Sequence, residues 1–171
     1  MAIHAVVRTD NMSGTDVRAD LVSIEYLGAN GSTPTDIDNG NVLKVGDLMT
    51  GEREIFKGAA VASGDTLDDI VLIATPEMEY DPLLGKLTDF YNKAGTPCRG
   101  YRIRSGNIFS LTVEAFANEA SDAPVVGDLV EITTGTKFAT VTSQTSGSLL
   151  VGKVIAIDVV GALTYYVVKV D

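Results

Sequence analysis

His4 and Cys98 are the only histidine and the only cysteine in the chain, which limits what its polar residues can do. A Ser-His-Asp or Cys-His arrangement would have to draw on His4, and no serine sits in a G-x-S-x-G elbow. Metal centres built from several histidines or cysteines are excluded by count, and a single cysteine forms no intrachain disulfide. Cys98, between Pro97 and Arg99, reads either as a thiol activated by the neighbouring cation or as a small buried apolar group. Carboxylates cluster as Asp68/Asp69 and as Glu77/Glu79/Asp81. Acid–base hydrolysis needs two carboxyls held in a cleft with divergent pKa values, whereas these clusters read as exposed acidic turns. Asp36-Ile37-Asp38-Asn39-Gly40-Asn41, with Asp47 further on, has part of the ligand spacing of a calcium loop. Its glycine falls one position early, and no bidentate glutamate closes it. Neither G-x-x-x-x-G-K-[S/T] nor G-x-G-x-x-G occurs. The expectation is a chain with no enzymatic activity, no cofactor and no metal.

Charge says more. The 171 residues carry a formal net charge of −10, which disfavours nonspecific contact with nucleic acid. Between residues 86 and 104, however, Lys86, Lys93, Arg99, Arg102 and Arg104 face only Asp89. A basic stretch on an acidic protein suits docking to an acidic partner or self-association, and local pairing with nearby carboxylates is the alternative. These five residues are the candidate docking set.

The elements that must position them are mostly strands. Apolar residues make up 45% of the chain and charged ones 21%, which is globular, and 171 residues can bury a proper core. No apolar run approaches the ~20 residues of a membrane span, and the first residues lack a signal peptide's basic leader, so synthesis in a cytoplasm is expected. Alternating or apolar runs predict strands over 2–8, 20–27, 42–45, 53–61, 69–74, 99–104, 108–116, 129–133, 137–142, 149–159 and 163–170. Ile70-Val71-Leu72-Ile73-Ala74 is apolar throughout and predicts a buried central strand. Residues 99–104 and 108–116 predict a hairpin across Ser105-Gly106-Asn107, with one cationic face in its first arm. One segment predicts a helix, about 82–94: Asp81 as N-cap, Pro82 at the first position, Leu83, Leu87, Phe90, Tyr91 and Ala94 on one face, and Gly95 as the stop.

The fold class follows: mainly β, with short antiparallel strands forming a barrel-like or sandwich-like core and one short helix packed on it. Polar stretches at 28–41 and 118–124 suggest divisions into 1–40, 41–117 and 118–171, with 41–171 as one compact unit the alternative. Val45-Gly46-Asp47-Leu48 returns as Val126-Gly127-Asp128-Leu129, by duplication or because turn sequences are alike.

Two parts of the chain carry a family resemblance. Ala123-Pro124-Val125-Val126-Gly127-Asp128-Leu129-Val130 through Leu150-Val151-Gly152-Lys153-Val154-Ile155 resembles the capsid cement, or head decoration, proteins of tailed bacteriophages. The middle is similar to small virion proteins encoded beside the major capsid protein. That likeness rests on Gly51-Glu52-Arg53-Glu54, Asp69-Ile70-Val71-Leu72-Ile73-Ala74-Thr75-Pro76-Glu77, Asp89-Phe90-Tyr91-Asn92-Lys93-Ala94-Gly95 and Arg99-Gly100-Tyr101-Arg102. Residues 1–40 match nothing in the family. The resemblance implies a structural protein on the capsid exterior that braces neighbouring capsomers. It further implies the major capsid protein as partner, trimers, no nucleic-acid or membrane contact, and no active site. A tail or fibre protein, or a carbohydrate-binding β module, is the other class that fits a catalytically bare β chain. An extended N-terminal strand would suit pairing with a capsid sheet edge.

Overall fold

The structure, a computed structural model, describes residues 4–9, 20–78, 86–117 and 122–171. Ten strands form among them. They are β1 (Leu21–Tyr26), β2 (Val42–Leu48), β3 (Ile55–Ala59), β4 (Ile70–Ile73), β5 (Cys98–Arg102), β6 (Ile108–Leu111), β7 (Leu129–Ile132), β8 (Ala139–Val141), β9 (Leu149–Val160) and β10 (Leu163–Val170). The chain is mainly β, as its sequence leads one to expect. The first five strands close a barrel in the order β1-β3-β2-β4-β5, and the last five form a sheet in the order β6-β10-β9-β7-β8. Pairing is antiparallel except between β1 and β3, and the register from Leu21↔Tyr101 to Ile24↔Cys98 closes the barrel.

The two-residue period of a strand explains how the two layers share residues. Val22, Ile24, Leu43, Val71, Ile73 and Cys98 cluster inside the barrel. Their neighbours Val42, Ile70, Leu72 and Ala74 turn the other way, into a second cluster with Leu111, Val130, Ile132, Val154 and Val168 of the sheet. Phe138 fills the middle of that cluster, with its ring 5.8 Å from Phe109 and 6.2 Å from Phe116. β4 is thus buried on both faces, which is why Ile70–Ile73 contains no polar residue.

Three expectations are corrected. Of the segment expected to be helical, 82–85 lie outside the described residues, and the remainder holds one 3-10 turn, Leu87–Asp89. Phe90 is already extended, and Asn92 exchanges both backbone hydrogen bonds with Ile37, at 2.8 and 2.9 Å. That pairing claims the groups a helix would need, and Leu87, on the supposed apolar face, is exposed. The hairpin over 99–116 does not form either. The turn exists, with the Asn107 side chain accepting from the Arg104 N–H at 2.9 Å, but the flanking strands diverge. β5 pairs with β1 and β4, whereas β6 pairs with β10, whose end bonds the turn through Gly106 N–H to the Val170 carbonyl at 3.1 Å. The strand expected over 2–8 is, among residues 4–9, a single isolated bridge. Val7 bridges Leu111, Arg8 N–H donates to Ser110 at 3.1 Å, and Val6 accepts from Thr112 N–H at 3.1 Å.

The sheets do not change over at the expected divisions. β1 belongs to the barrel with strands beyond residue 40, and β6 joins the sheet formed by strands beyond residue 118. The repeated Val-Gly-Asp-Leu is not a structural repeat: Gly46 and Asp47 lie inside β2, while Gly127 takes the positive φ of a turn. The true counterpart of Val125–Asp128 is Ala62–Asp65. In each, a positive-φ glycine precedes an aspartate whose side chain accepts the N–H three residues back, at 2.9 and 2.8 Å.

At Gly152 the backbone of β10 leaves no room for a side chain. A Cβ there would lie 2.0 Å from the Lys169 carbonyl oxygen, a backbone atom that cannot step aside alone. Gly152→Ala is expected to destabilise the fold by about 3 kcal/mol, the upper end for overpacking. Urea denaturation checks this, and a midpoint equal to that of the parent would refute so close an approach.

Candidate docking surface

The five expected docking cations differ in what they bond: Arg102 and Arg104 are engaged by neighbours, and Lys86, Lys93 and Arg99 form no ion pair among the described residues. On β5 the alternation sends Cys98 and Gly100 into the barrel and Arg99 outwards, and Arg102 follows the inward register opposite Val71. Because Arg102 is the last residue of the strand, its guanidinium escapes at the barrel mouth, where Nη1 donates to the Asp68 carbonyl at 2.6 Å. Arg104 lies just beyond. Its Nε meets Asp20 Oδ1 at 3.1 Å and its Nη1 meets Asp68 Oδ1 at 2.6 Å, and the Asp20 bond first among these interactions raises its pKa. Asp68 is largely open to water, so each bridge contributes no more than about 1 kcal/mol. Together these contacts tie the start of β1 and the Leu67–Asp69 turn to the end of β5. Arg102 and Arg104 therefore brace the barrel, and one expected cationic face becomes two separate roles.

Lys86, Lys93 and Arg99 are exposed, and among the described residues none of them forms an ion pair. Arg99 overhangs an open depression of about 440 Å³ on the outside of the barrel, lined also by Leu21, Ser23, Glu54, Thr75 and Pro97. Its backbone N–H donates to Thr75 Oγ1 at 3.0 Å, which fixes its place while the side chain points into solvent. No contact among the described residues joins Lys86 or Lys93 to this depression.

The residues that invited a chemical reading are occupied by structural work. Cys98 is buried in the barrel, its thiol donates to the Ile24 carbonyl at 3.0 Å, and burial pushes its pKa up to about 12. Arg99 points away from it and does not activate it. In the acidic loop, Asp36 Oδ1 accepts from Ala94 N–H at 2.8 Å, and Asp38 Oδ1 binds His4 Nδ1 at 2.9 Å. The His4 ring also stacks on Tyr91, with centroids 4.9 Å apart. Asn39, fully buried, makes four hydrogen bonds. Its amide nitrogen donates to the Thr75 carbonyl at 2.7 Å and to Glu77 at 3.2 Å. Its oxygen accepts from Thr75 N–H at 3.0 Å and from Asn92 at 3.1 Å. Among the described residues, no three groups of the His, Cys, Asp or Glu type come together to hold a metal ion. Glu79 and Asp81 lie outside the described residues.

Sequence reasoning missed Glu131. It sits on β7 between Val130 and Ile132, which face the core, so its own side chain faces the opposite side of the sheet. There the Thr145–Ser148 turn folds over it: Oε2 accepts from Thr145 N–H at 2.9 Å and from Ser148 Oγ–H at 2.7 Å. Burial works against ionisation, but these hydrogen bonds outweigh it and hold the pKa below the usual carboxylate range. A glutamate within a valine- and isoleucine-rich strand is the one signal the sequence offers.

Comparison with protein families, with characterised proteins and with solved structures finds no match to the chain.

Two outcomes follow from these placements. Cys98 in the native protein is expected to resist thiol reagents at neutral pH and to react fully once unfolded, and rapid labelling of the folded chain would contradict its burial. Glu131 has a folded pKa below its unfolded value, so its contribution is complete above the unfolded value of about 4.3 and fades as pH falls through the folded one. Glu131→Gln should therefore cost about 1–2 kcal/mol at pH 7, and the gap to the parent should close on acidification below about pH 4.3. A gap that stays constant from pH 7 to acid would show that the charge plays no part.

Proposed function

We propose that this chain is a structural virion protein that binds the outer surface of a bacteriophage capsid and stabilises neighbouring capsomers. The resemblance in the 51–102 and 123–155 segments supports this reading. The observation that carries it furthest is that Arg99, Lys86 and Lys93 are exposed and form no ion pair among the described residues, on a chain of net charge −10. Cations that no described carboxylate uses are available to an acidic surface, and they would steer the chain and fix its register there. The site of contact is accordingly narrower than the five residues of the basic stretch, since Arg102 and Arg104 belong to the barrel mouth.

The test mixes purified protein with mature capsids of the phage that encodes it. Binding at a fixed stoichiometry and a higher capsid melting temperature are expected, because a ligand of the assembled state stabilises that state. Reversing Lys86, Lys93 and Arg99 together to glutamate should weaken binding at least about tenfold, or ~1.4 kcal/mol, and flatten its salt dependence. Arg102→Glu should instead lower the stability of the free protein. Binding that never saturates, or electron microscopy that places the protein on the tail, would replace the capsid reading with another virion role.

A further inference from the structure

β9 is twelve residues long, but its two edges are unequally used. Along one edge it pairs with β10 from Gly152↔Val170 to Val160↔Leu163, with a bulge at Ile155 between the Val154↔Val168 and Ala156↔Val167 pairs. Along the other, β7 covers only Leu149 to Lys153. The Val125–Asp128 turn then closes Val154, through Gly127 N–H to the Val154 carbonyl and Val154 N–H to the Asp128 carbonyl, both 2.9 Å. From Ile155 to Val160 no described strand pairs with this edge. The six residues read Ile-Ala-Ile-Asp-Val-Val, and Ile155, Ile157, Val159 and Val160 are exposed, Val159 at 72%.

An open edge this long, β-branched and apolar is what sheet proteins normally blunt with lysine, proline or a cover. This one carries a single aspartate and the bulge at Ile155, with no lysine or proline between 155 and 160. We propose that it is an interface, and that the edge of a second copy of the chain covers it, antiparallel about a two-fold axis. The strand's charge pattern selects the partner and the register. The β9–β10 hairpin carries Lys153, Asp158 and Lys169, so this face lacks the negative charge of the molecule as a whole, and two copies can meet there without strong like-charge repulsion. Residues opposite one another in an antiparallel pair share a face, which leaves two centred registers within 155–160. Centring on Asp158 would set that carboxylate against its own copy, and like charges directly opposite are unfavourable. Centring on Ile157 sets Ile157 against Ile157 and Ile155 against Val159, and it places Asp158 opposite Ala156. The Ile157-centred register is the one the sequence permits. The result is a ten-stranded sheet running through two copies. Being two-fold, it pairs each copy's β9 edge with the other's, so this contact closes on itself. It is a dimer, where the family resemblance implies a trimer.

This inference does not rest on capsid binding: a chain that dimerises and ignores capsids, or the reverse, separates the two proposals. Sedimentation equilibrium of the full chain is expected to show dimers. Ile157→Lys and Ile157→Glu should each be monomeric with an unchanged circular dichroism spectrum, and an equimolar mixture of the two should recover dimers, because opposite charges then meet on the axis. Val159→Lys, at the most exposed position, gives a second monomeric variant should Ile157 prove sensitive. A wild-type chain that is monomeric to millimolar concentration, or trimeric, overturns the proposal. So does a dimer indifferent to both lysine variants, or a mixture that stays monomeric.

Discussion

The structure depends on a strand with no face left for water. β4 sends Val71 and Ile73 into the barrel and Ile70 and Leu72 into the core beneath the second sheet, so both hydrophobic clusters meet through four residues. Neither layer is complete alone. Barrel strands supply Val42, Ile70 and Leu72 to a cluster that also draws on β6, β7, β9 and β10 and on connecting residues such as Val7, Phe116 and Phe138. At roughly 25 cal/mol per Å² of apolar surface, a strand buried on both sides contributes about twice what an ordinary half-buried one does. A polar residue anywhere in Ile70–Ile73 would therefore carry an uncompensated desolvation cost into one cluster or the other. This single constraint makes barrel and sheet one cooperative body.

Legibility in the sequence follows the same physics. Strands that bury one face leave an alternating record, and β4 leaves a continuous apolar one, so nearly every strand could be placed from pattern alone. Partners could not. The turn Arg104–Asn107 looks like any hairpin turn, and nothing local states that β5 returns to β1, about eighty residues back, while β6 goes to β10 near the end of the chain. The segment 86–94 shows the other limit. Its helical spacing is real, but Asn92 is worth more paired to Ile37 and to the buried Asn39 amide than in a helix interrupted by Gly85. A weak local preference lost to a set of long-range hydrogen bonds.

The candidate site was legible in composition and not in arrangement. The excess of cations between 86 and 104 is plain to read, yet only the coordinates separate Arg99, held outwards by the barrel's alternation, from Arg102 and Arg104, which Asp68 and Asp20 engage. Glu131 is the converse case. Its neighbours in sequence mark it as a misfit, and the turn that satisfies it lies fourteen residues away.

Surface charge and open backbone then divide the labour of association. The molecule carries a net charge of −10, which leaves few surfaces where close approach of two copies is cheap. Exposed cations near the barrel offer contact to an acidic partner, where the energy is modest and the gain is in steering and register. The β9 edge offers something different: unpaired backbone groups flanked by isoleucine and valine, a surface that binds through hydrogen bonds any strand can make. Such an edge is selective only through its side chains. Asp158 supplies that selectivity by forbidding one register and leaving Ile157 on the axis, so the lone charge in an apolar strand acts against the wrong pairing rather than for the right one.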